Sequence, residues 1–190
     1  MSEAIGAWDG VAFSGQVHIR DSGLRGMITL RGNLASTDLR DAVCKITGLE
    51  FPDSRKGSFV DEFGLCWMSP DEVLLLLPYD KVRAALRTID KMLEGQHFLA
   101  VDVSDARTSF TIDGEGSAIR DVLAKLTPAD LRPKTLPKGE VRRTRLAQVP
   151  AAFWFHEEDR MEIVCFRSVK EYVFELLCNA AKVGSEVMHH

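Results

Sequence analysis

The sequence contains an internal repeat. Residues 39–47 (LRDAVCKIT) follow Gly32, and the similar residues 119–127 (IRDVLAKLT) follow Gly114. A self-similar segment of this length indicates two copies of one supersecondary unit, which constrains the architecture before any function is considered. Where the copies agree, we expect a shared structural need. Where they differ, the residues can serve a binding site or an interface that only one copy has.

The first copy predicts a strand, a helix, a hairpin and a second helix. Residues 27–32 alternate between apolar and polar, as a half-buried strand does, and the apolar spacing within 39–48 predicts a helix. Residues 64–68 and 73–77 predict the two strands of a hairpin. An amphipathic helix is expected over residues 79–95.

The second copy repeats this order of elements. Two strands are expected within residues 98–112, a helix over 119–126, and a hairpin from strands at 145–155 and 161–166. The last helix is predicted to open with a capping box at 168–171. Its expected buried stripe consists of Val169, Tyr172, Val173, Leu176, Leu177 and Ala180.

Two such units define an α+β fold with mainly antiparallel sheets. A chain of 190 residues, 45% of them hydrophobic, lies within the usual size of one domain. We therefore expect a single domain over 1–190, built from pseudo-repeats at about 25–96 and 97–184. A flexible tail is expected at 185–190.

The charge and the cysteines restrict the class of protein. A net charge of −4 disfavours a general nucleic-acid binder, which needs a positive field to collect phosphates. The cysteines include no CxxC pair, so we interpret them as small buried hydrophobic residues of a reduced protein: Cys44, Cys66, Cys165 and Cys178. With neither a signal peptide nor a membrane-spanning segment recognised, we expect a cytoplasmic protein.

Catalytic, cofactor and metal motifs are not recognised in the sequence. There is no GxSxG elbow, and residues 114–116 (GEG) lack the rest of a phosphate-binding loop, so we interpret them as a strand-to-helix turn. The five histidines show no i, i+4 pair with a carboxylate. The acidic turn at 156–159 is interpreted as a solvated hairpin tip, with a cation site as the alternative. We therefore assign no catalytic, cofactor-binding or metal-binding residue.

One feature that suggests a surface for a partner protein is a basic segment with a single carboxylate, Glu140, within it. Its cations are Arg132, Lys134, Lys138, Arg142, Arg143 and Arg145. Such a segment attracts an acidic partner. A solvated loop kept flexible by Pro133 and Pro137 fits the same pattern.

A second feature of this kind is three aromatic residues in succession, Phe153, Trp154 and Phe155. Side chains alternate between the two faces of a strand, so at least one of these rings must point away from the core face. Aromatic residues outside a core often mark an interface. We therefore predict partner contact here, with packing against the chain's own last helix as the alternative.

Segments spread along the chain resemble the gamma subunit family of heterotetrameric sarcosine oxidase. They are residues 101–108 (VDVSDART), Gly114, 130–133 (DLRP), Gly139, 144–150 (TRLAQVP) and 166–168 (FRS), and in the first half 67–76 (WMSPDEVLLL). The resemblance covers about residues 25–184. This family is similar to the folate-binding domain of glycine-cleavage aminomethyltransferase, a duplicated α+β fold whose subdomains exchange their first strands. The resemblance thus implies that residues 98–103 pair with the sheet of the other half.

The resemblance implies a noncatalytic gamma subunit with a structural or assembly role in an oxidoreductase complex. Such a complex demethylates sarcosine oxidatively to glycine, with tetrahydrofolate as the one-carbon acceptor. Its flavins and NAD belong to the alpha and beta subunits. The implied partners are the alpha, beta and delta subunits, with alpha in direct contact, and neither nucleic acid nor a membrane is expected as a partner.

A stand-alone, folate-dependent aminomethyltransferase-like protein of one-carbon metabolism is the alternative, so whether the chain is itself an enzyme stays open. In those relatives, folate contacts fall on a glycine-rich loop, a strand-borne aspartate and an asparagine after the next strand. The matching residues of this chain are 64–68 (GLCWM) and 74–78 (LLLLP). They have an apolar residue where the relatives have the aspartate, and a proline where the relatives have the asparagine. We therefore assign no cofactor to this chain.

Overall fold

The computed structural model describes residues 10–185. The strands in this range are β1 Ala12–Ser14, β2 His18–Asp21, β3 Gly26–Arg31, β4 Gly57–Val60, β5 Phe63–Ser69, β6 Glu72–Leu77, β7 Leu99–Asp102, β8 Arg107–Asp113, β9 Arg142–Leu146, β10 Val149–Glu157 and β11 Arg160–Phe166. The α-helices are α1 Thr37–Thr47, α2 Val82–Met92, α3 Gly116–Ala124 and α4 Lys170–Ala180, and 3₁₀ turns precede α2 at Tyr79–Lys81 and α4 at Arg167–Val169. None of these helices has the length and apolar composition needed to span a bilayer. Of the tail predicted at 185–190, residues 186–190 lie outside the described range.

The chain divides into two compact units, each with its own sheet. The five-stranded unit contains Leu24–Arg107 and Gly139–Val141, and its strand order is β4-β5-β6-β3-β7. The six-stranded unit contains 10–23, Thr108–Lys138 and 142–185 of the described residues, and its order is β1-β2-β8-β11-β10-β9. The α+β class with mainly antiparallel sheets is confirmed.

In the five-stranded unit, α1 and α2 cover one face of the sheet. Side chains from that face, such as Ile28, Leu65 and Leu75, are fully buried and form one core with the apolar faces of both helices. Full burial of such a side chain contributes roughly 1.5–3 kcal/mol of hydrophobic stabilisation. α1 is capped by Gly48, which adopts a left-handed φ of 71° and donates its N–H to the Cys44 carbonyl.

In the six-stranded unit, α3 and α4 take part in the core on one face of the sheet. Phe110, Ile112 and Phe153 contribute from the strands, and Leu123 and Leu177 from the helices. All five are at most 1% exposed, so this core is closed to solvent.

The strand pairings show an exchange of first strands between the two halves of the sequence. β7 pairs antiparallel with β3, with Val101 opposite Thr29, and β2 pairs antiparallel with β8, with Ile19 opposite Ile112. The pairing predicted for 98–103 is therefore confirmed. The duplication itself stays an inference from the sequence.

The second half differs from the prediction of one strand at 145–155. This segment belongs to two strands, because β9 and β10 pair antiparallel across Ala147 and Gln148. Ala147 adopts a left-handed φ of 50°, a conformation that hairpin turns usually give to Gly or Asn. Since neither residue type marks the turn, the sequence pattern does not reveal it.

The start and the buried face of α4 also correct the prediction. The capping box at 168–171 does not form, because the 3₁₀ turn occupies its first residues and α4 begins at Lys170 without a side-chain cap. Within the predicted stripe, Tyr172 is 47% exposed and Leu176 is half-buried, whereas Phe174 is buried. α4 carries apolar residues on two faces, so its periodicity alone does not choose the buried one.

Candidate docking surfaces

The basic segment at 132–145 is not a single loop. Arg132–Lys138 is a turn region of the six-stranded unit, and Arg142–Leu146 is β9, an edge strand of the same unit. The residues between them, Gly139–Val141, belong to the five-stranded unit, where the Gly139 carbonyl accepts the Gly57 N–H. The structure therefore divides the predicted cations between a turn and an edge strand.

Glu140, the single carboxylate within the basic segment, is buried in the five-stranded unit. Its Oε1 lies 2.7 Å from Arg55 Nη2, and its Oε2 lies 3.0 Å from Lys56 Nζ. Both cations lie outside the basic segment. Glu140 therefore forms ion pairs with these two cations and is not a counterion for the basic segment alone.

Arg132 is bound to the neighbouring Asp130. Its Nε donates to Asp130 Oδ1 at 2.9 Å and to Oδ2 at 3.1 Å. These bonds raise the pKa of the Arg132 guanidinium and hold the pKa of the Asp130 carboxyl well below its ordinary value of 3.8. Arg132 is exposed, but a carboxylate two residues away matches its charge.

Arg120 holds the turn that begins the basic segment. Its Nη1 donates to the carbonyl oxygens of Leu131 and Leu136, the latter at 3.1 Å. Its guanidinium lies 4.2 Å from the centroid of the Phe155 ring. Only 9% of Arg120 is exposed, and this burial lowers the pKa of its guanidinium. Arg120 was not predicted as a site residue from the sequence, although it lies within the repeated segment.

The acidic hairpin tip at 156–159 is bonded within its own unit. Lys138 Nζ lies 2.6 Å from Glu157 Oε1, and Arg120 Nη2 lies 3.6 Å from Glu158 Oε2. In the part of the chain that the structure describes, no three His, Cys, Asp or Glu side chains are grouped to hold a metal ion. The tip is exposed, yet it is anchored by cations rather than only solvated.

Five cations of the basic segment are exposed. Besides Arg132 and Lys138, they are Lys134, Arg143 and Arg145, and we call these last three the basic edge. Arg143 and Arg145 alternate along β9 and so lie on the same face of the sheet. Lys134 lies in the turn, which Arg142 joins to β9 by donating from Nη2 to the Thr135 carbonyl at 2.7 Å. The basic edge is an exposed part of the predicted interface that a partner can reach.

The aromatic part of the predicted interface is corrected by burial. Phe153, Trp154 and Phe155 are all fully buried. Phe153 and Phe155 belong to the helix-covered core, whereas Trp154 points to the opposite face, as the alternation of a strand requires. Trp154 Nε1 donates to His156 Nε2 at 3.1 Å, and that nitrogen lies 2.8 Å from the buried Glu162 carboxylate. The strand is buried on both faces, so none of the three rings offers an exposed surface.

The outer face of α4 contains an open groove of about 440 Å³. Its lining residues are Tyr172, Glu175, Leu176, Cys178, Asn179 and Lys182. The groove exists because Tyr172 and Leu176, predicted for the core, lie on the outer face of the helix.

The strands that carry folate contacts in the aminomethyltransferase relatives are apolar here. Leu65 and Cys66 of β5 are fully buried, and residues 74–77 of β6 are at most 1% exposed. Such side chains offer no strong hydrogen-bond donor or acceptor to a pterin ring. Glu72, at the start of β6, is 2% exposed and lies 2.7 Å from Arg31 Nη2. The residues present therefore do not fit a folate site of that kind.

The two antiparallel sheets with exchanged strands place this chain among proteins with the fold of glycine-cleavage aminomethyltransferases. Aminomethyltransferase T of the glycine cleavage system from Bartonella henselae matches this chain with a TM-score of 0.60. The match has 19% sequence identity and covers 86% of this chain and 45% of that one. At this identity the likeness concerns the fold alone.

The chain belongs to the sarcosine oxidase gamma subunit family, whose sequence model matches residues 31–183. Sarcosine oxidase subunit gamma of Corynebacterium sp. (strain U-96) is 27% identical over 172 residues, which cover 90% of this chain and 82% of that protein. A chain of the heterotetrameric sarcosine oxidase from Corynebacterium sp. U-96, solved in complex with pyrrole 2-carboxylate, matches with a TM-score of 0.78 and 26% identity. That match covers 90% of this chain and 87% of the other. These comparisons confirm the family resemblance seen in the sequence.

Proposed function

We propose that this chain is the gamma subunit of a heterotetrameric sarcosine oxidase and has a structural and assembly role without catalytic residues of its own. The observation that carries the proposal is the family match over residues 31–183. The likeness to the heterotetrameric enzyme covers 90% of this chain and 87% of its counterpart. Since both matches extend over most of the chain, they support the role of a whole subunit rather than that of a shared module.

In the proposed complex, the chemistry belongs to the other subunits. Sarcosine is oxidatively demethylated to glycine, tetrahydrofolate accepts the one-carbon unit, and the alpha and beta subunits hold the flavins and NAD. The side chains of this chain support that division, because β5 and β6 present apolar residues where the folate-binding relatives present polar ones. The gamma subunit then contributes surfaces for assembly.

The basic edge is the proposed contact with the alpha subunit, and the beta and delta subunits complete the complex. Lys134, Arg143 and Arg145 are exposed, and Lys134 and Arg145 are the two whose charges we expect to attract carboxylates of a partner most strongly. Arg132 and Lys138 already pair with carboxylates of this chain, so we expect them to contribute less.

Expression of this chain alone and together with the other subunits of a sarcosine oxidase tests the proposed role. Alone, it is expected to bind no flavin and to form no hydrogen peroxide from sarcosine. Together, the subunits are expected to copurify in constant proportion. Sarcosine oxidation by the purified single chain would overturn the noncatalytic role, and failure to copurify would overturn the subunit role.

The contact with the alpha subunit has a separate test. Lys134→Glu combined with Arg145→Glu reverses two exposed charges and is expected to weaken assembly, most strongly at low salt, where charges are least screened. Arg83→Glu combined with Arg87→Glu is the matched control, because both side chains are exposed on α2. Equal effects of the two pairs would show that net charge, not the basic edge, governs assembly.

Calorimetric titration of the purified chain with tetrahydrofolate tests the alternative of a stand-alone aminomethyltransferase-like protein. The apolar β5 and β6 lead us to expect no binding heat and no thermal shift. Micromolar binding by the single chain would favour the alternative.

A further inference from the structure

The two sheets share one strand order except at a single edge. The order β2-β8-β11-β10-β9 of the six-stranded sheet corresponds to β7-β3-β6-β5-β4 of the five-stranded sheet. In the six-stranded sheet, β1 pairs with the outer edge of β2. Among the described residues, no strand pairs with the equivalent outer edge of β7. Within residues 10–185, the five-stranded sheet therefore has no counterpart of the strand that completes its sister sheet.

The backbone of β7 is oriented to accept another strand. The Val103 N–H donates to the Met27 carbonyl, on the side of β3. Because hydrogen bonding alternates along an antiparallel ladder, Val101 and Leu99 also bond toward β3, and the N–H and C=O groups of Ala100 and Asp102 point outward. Because no other described strand pairs with this edge, an added strand could bond to the outward backbone groups of these two residues.

The side chains of β7 do not protect this edge. Leu99 is 55% exposed and Val101 is 39% exposed, on one face of the strand. Natural sheets block open edges with charged side chains, above all lysine, and with proline or a bulge. β7 has no lysine, proline or bulge, and its one charged residue is Asp102. An open apolar edge of this kind is the feature to which other chains add strands.

The charge around β7 indicates the chemistry of the added strand. Between Lys91 and Arg107, the sequence carries the carboxylates Glu94, Asp102 and Asp105 and no lysine or arginine. Arg31 of β3 lies opposite Leu99, but it is paired with Glu72. An approaching segment with lysine or arginine next to its apolar residues is attracted here, whereas an acidic one is repelled.

The covered edge of the sister sheet supplies a template for the pairing. β1 is only three residues long, and its central Phe13 lies opposite Ile19 of β2. Phe13 is half-buried against the core of its unit, so one apolar residue anchors the short strand. In β7, Ala100 corresponds to Ile19 of β2. A strand added to β7 would therefore place its apolar anchor opposite Ala100, whose side chain also packs against the core of its unit.

We propose that an extended segment of another subunit adds to β7 as an antiparallel sixth strand, with an apolar residue opposite Ala100 and a lysine or arginine near Asp102. The source of the segment rests on the proposed role as a subunit of a heterotetramer. The open edge itself does not depend on that role. This contact is separate from the basic edge, which lies on β9 and its preceding turn in the other sheet.

Amide hydrogen exchange of the assembled complex and of the free chain tests the proposal. The Ala100 and Asp102 amides are expected to exchange about tenfold more slowly in the complex, because each gains a partner. Ala100→Pro removes an N–H that points away from β3 and is expected to weaken assembly about tenfold without loss of the free fold. Ala100→Ser, which keeps that N–H, is expected to assemble normally.

A charge placed on the edge gives a second measurement. Leu99→Lys is expected to reduce copurification, since lysine both protects an edge and opposes a basic strand. Leu24→Lys is the matched control, because Leu24 is 61% exposed outside any strand.

Copurification with unchanged exchange at residues 98–103 would overturn the added strand and leave the subunit role intact. Failure of the wild-type chain to copurify would overturn both. A homodimer of the free chain that Ala100→Pro abolishes would show that the occupant is a second copy, contrary to the proposal.

Discussion

The guanidinium of Arg120 lies 4.2 Å from the centroid of the Phe155 ring. Its counterpart in the sequence repeat, Arg40, lies 4.8 Å from the centroid of the Phe51 ring and donates to the Leu34 carbonyl at 2.7 Å. Each arginine therefore combines an aromatic contact with a bond to a nearby backbone carbonyl. The two differ in depth, because Arg120 is buried and Arg40 is exposed.

This difference in depth predicts unequal losses of stability on truncation. Arg120→Ala removes the donor to two carbonyl oxygens in a buried site, and we expect the free energy of unfolding to fall by about 2–4 kcal/mol. Arg40→Ala is expected to cost less than about 1 kcal/mol, since water replaces the lost donor. Urea denaturation of both variants measures the two losses. Equal losses would contradict the role of Arg120 in holding the turn at Leu131–Leu136.

The orientation of α4 predicts opposite results for two adjacent leucines. Leu177→Ala empties a fully buried position and is expected to cost about 2–5 kcal/mol of unfolding free energy. Leu176→Ala changes a half-buried side chain beside the open groove, and we expect a cost of about 1 kcal/mol. Thermal and chemical denaturation compare them in the same helix. Equal costs at the two positions would show that the helix buries both leucines, as the stripe predicted from the sequence requires.

A buried ion pair at the start of α4 predicts strong coupling. Lys170 Nζ lies 2.9 Å from Asp21 Oδ2, and the side chains are 10% and 1% exposed. Lys170→Met leaves the Asp21 carboxylate buried without its cation and is expected to cost about 3–5 kcal/mol. Adding Asp21→Leu is expected to recover most of that loss, because no charge then remains buried. A double-mutant cycle measures the coupling, and additive losses would contradict it.

Burial of Cys165 predicts a pH dependence at the alkaline end. Burial raises the pKa of its thiol from 9.0 to about 12. Above pH 9 the unfolded thiol ionises while the folded one stays protonated, so the unfolded state gains stability and the free energy of unfolding falls as the pH rises toward 12. Cys165→Ala is expected to lose this part of the slope. Urea denaturation between pH 7 and pH 10 compares the variants, and identical slopes would count against a buried neutral thiol.

Much of the fold follows from apolar periodicity in the sequence. The helix over 39–48 and the strand at 27–32 have strong periods, and the structure contains them as α1 and β3. β4 was not predicted, because residues 52–58 have the composition of a loop and the strand exists through its pairing with β5. Edge strands of this kind depend on a partner strand more than on their own residues.

The docking surface was harder to predict than the fold. A run of aromatic residues in a strand implies an exposed ring only if one face of the sheet is open, and Trp154 is fully buried on the face opposite the helix-covered core. The cations were visible in the sequence, but their pairing with Asp130 and Glu157 depends on turns and hairpins that bring these groups together. The unpaired edge of β7 has no sequence signature, since it is a property of the sheet order.

The exchange of strands has a consequence for how the chain folds as it is synthesised. β2 leaves the ribosome before β3–β7, but its partner β8 is made only after all of them. The five-stranded sheet, by contrast, has all its strands once Asp102 has emerged. At about 5–20 residues per second, β2 has its hairpin partner β1 but waits for several seconds for β8. Translation speed and chaperones that bind early nascent chains should therefore affect the yield of the six-stranded unit more than that of the five-stranded one.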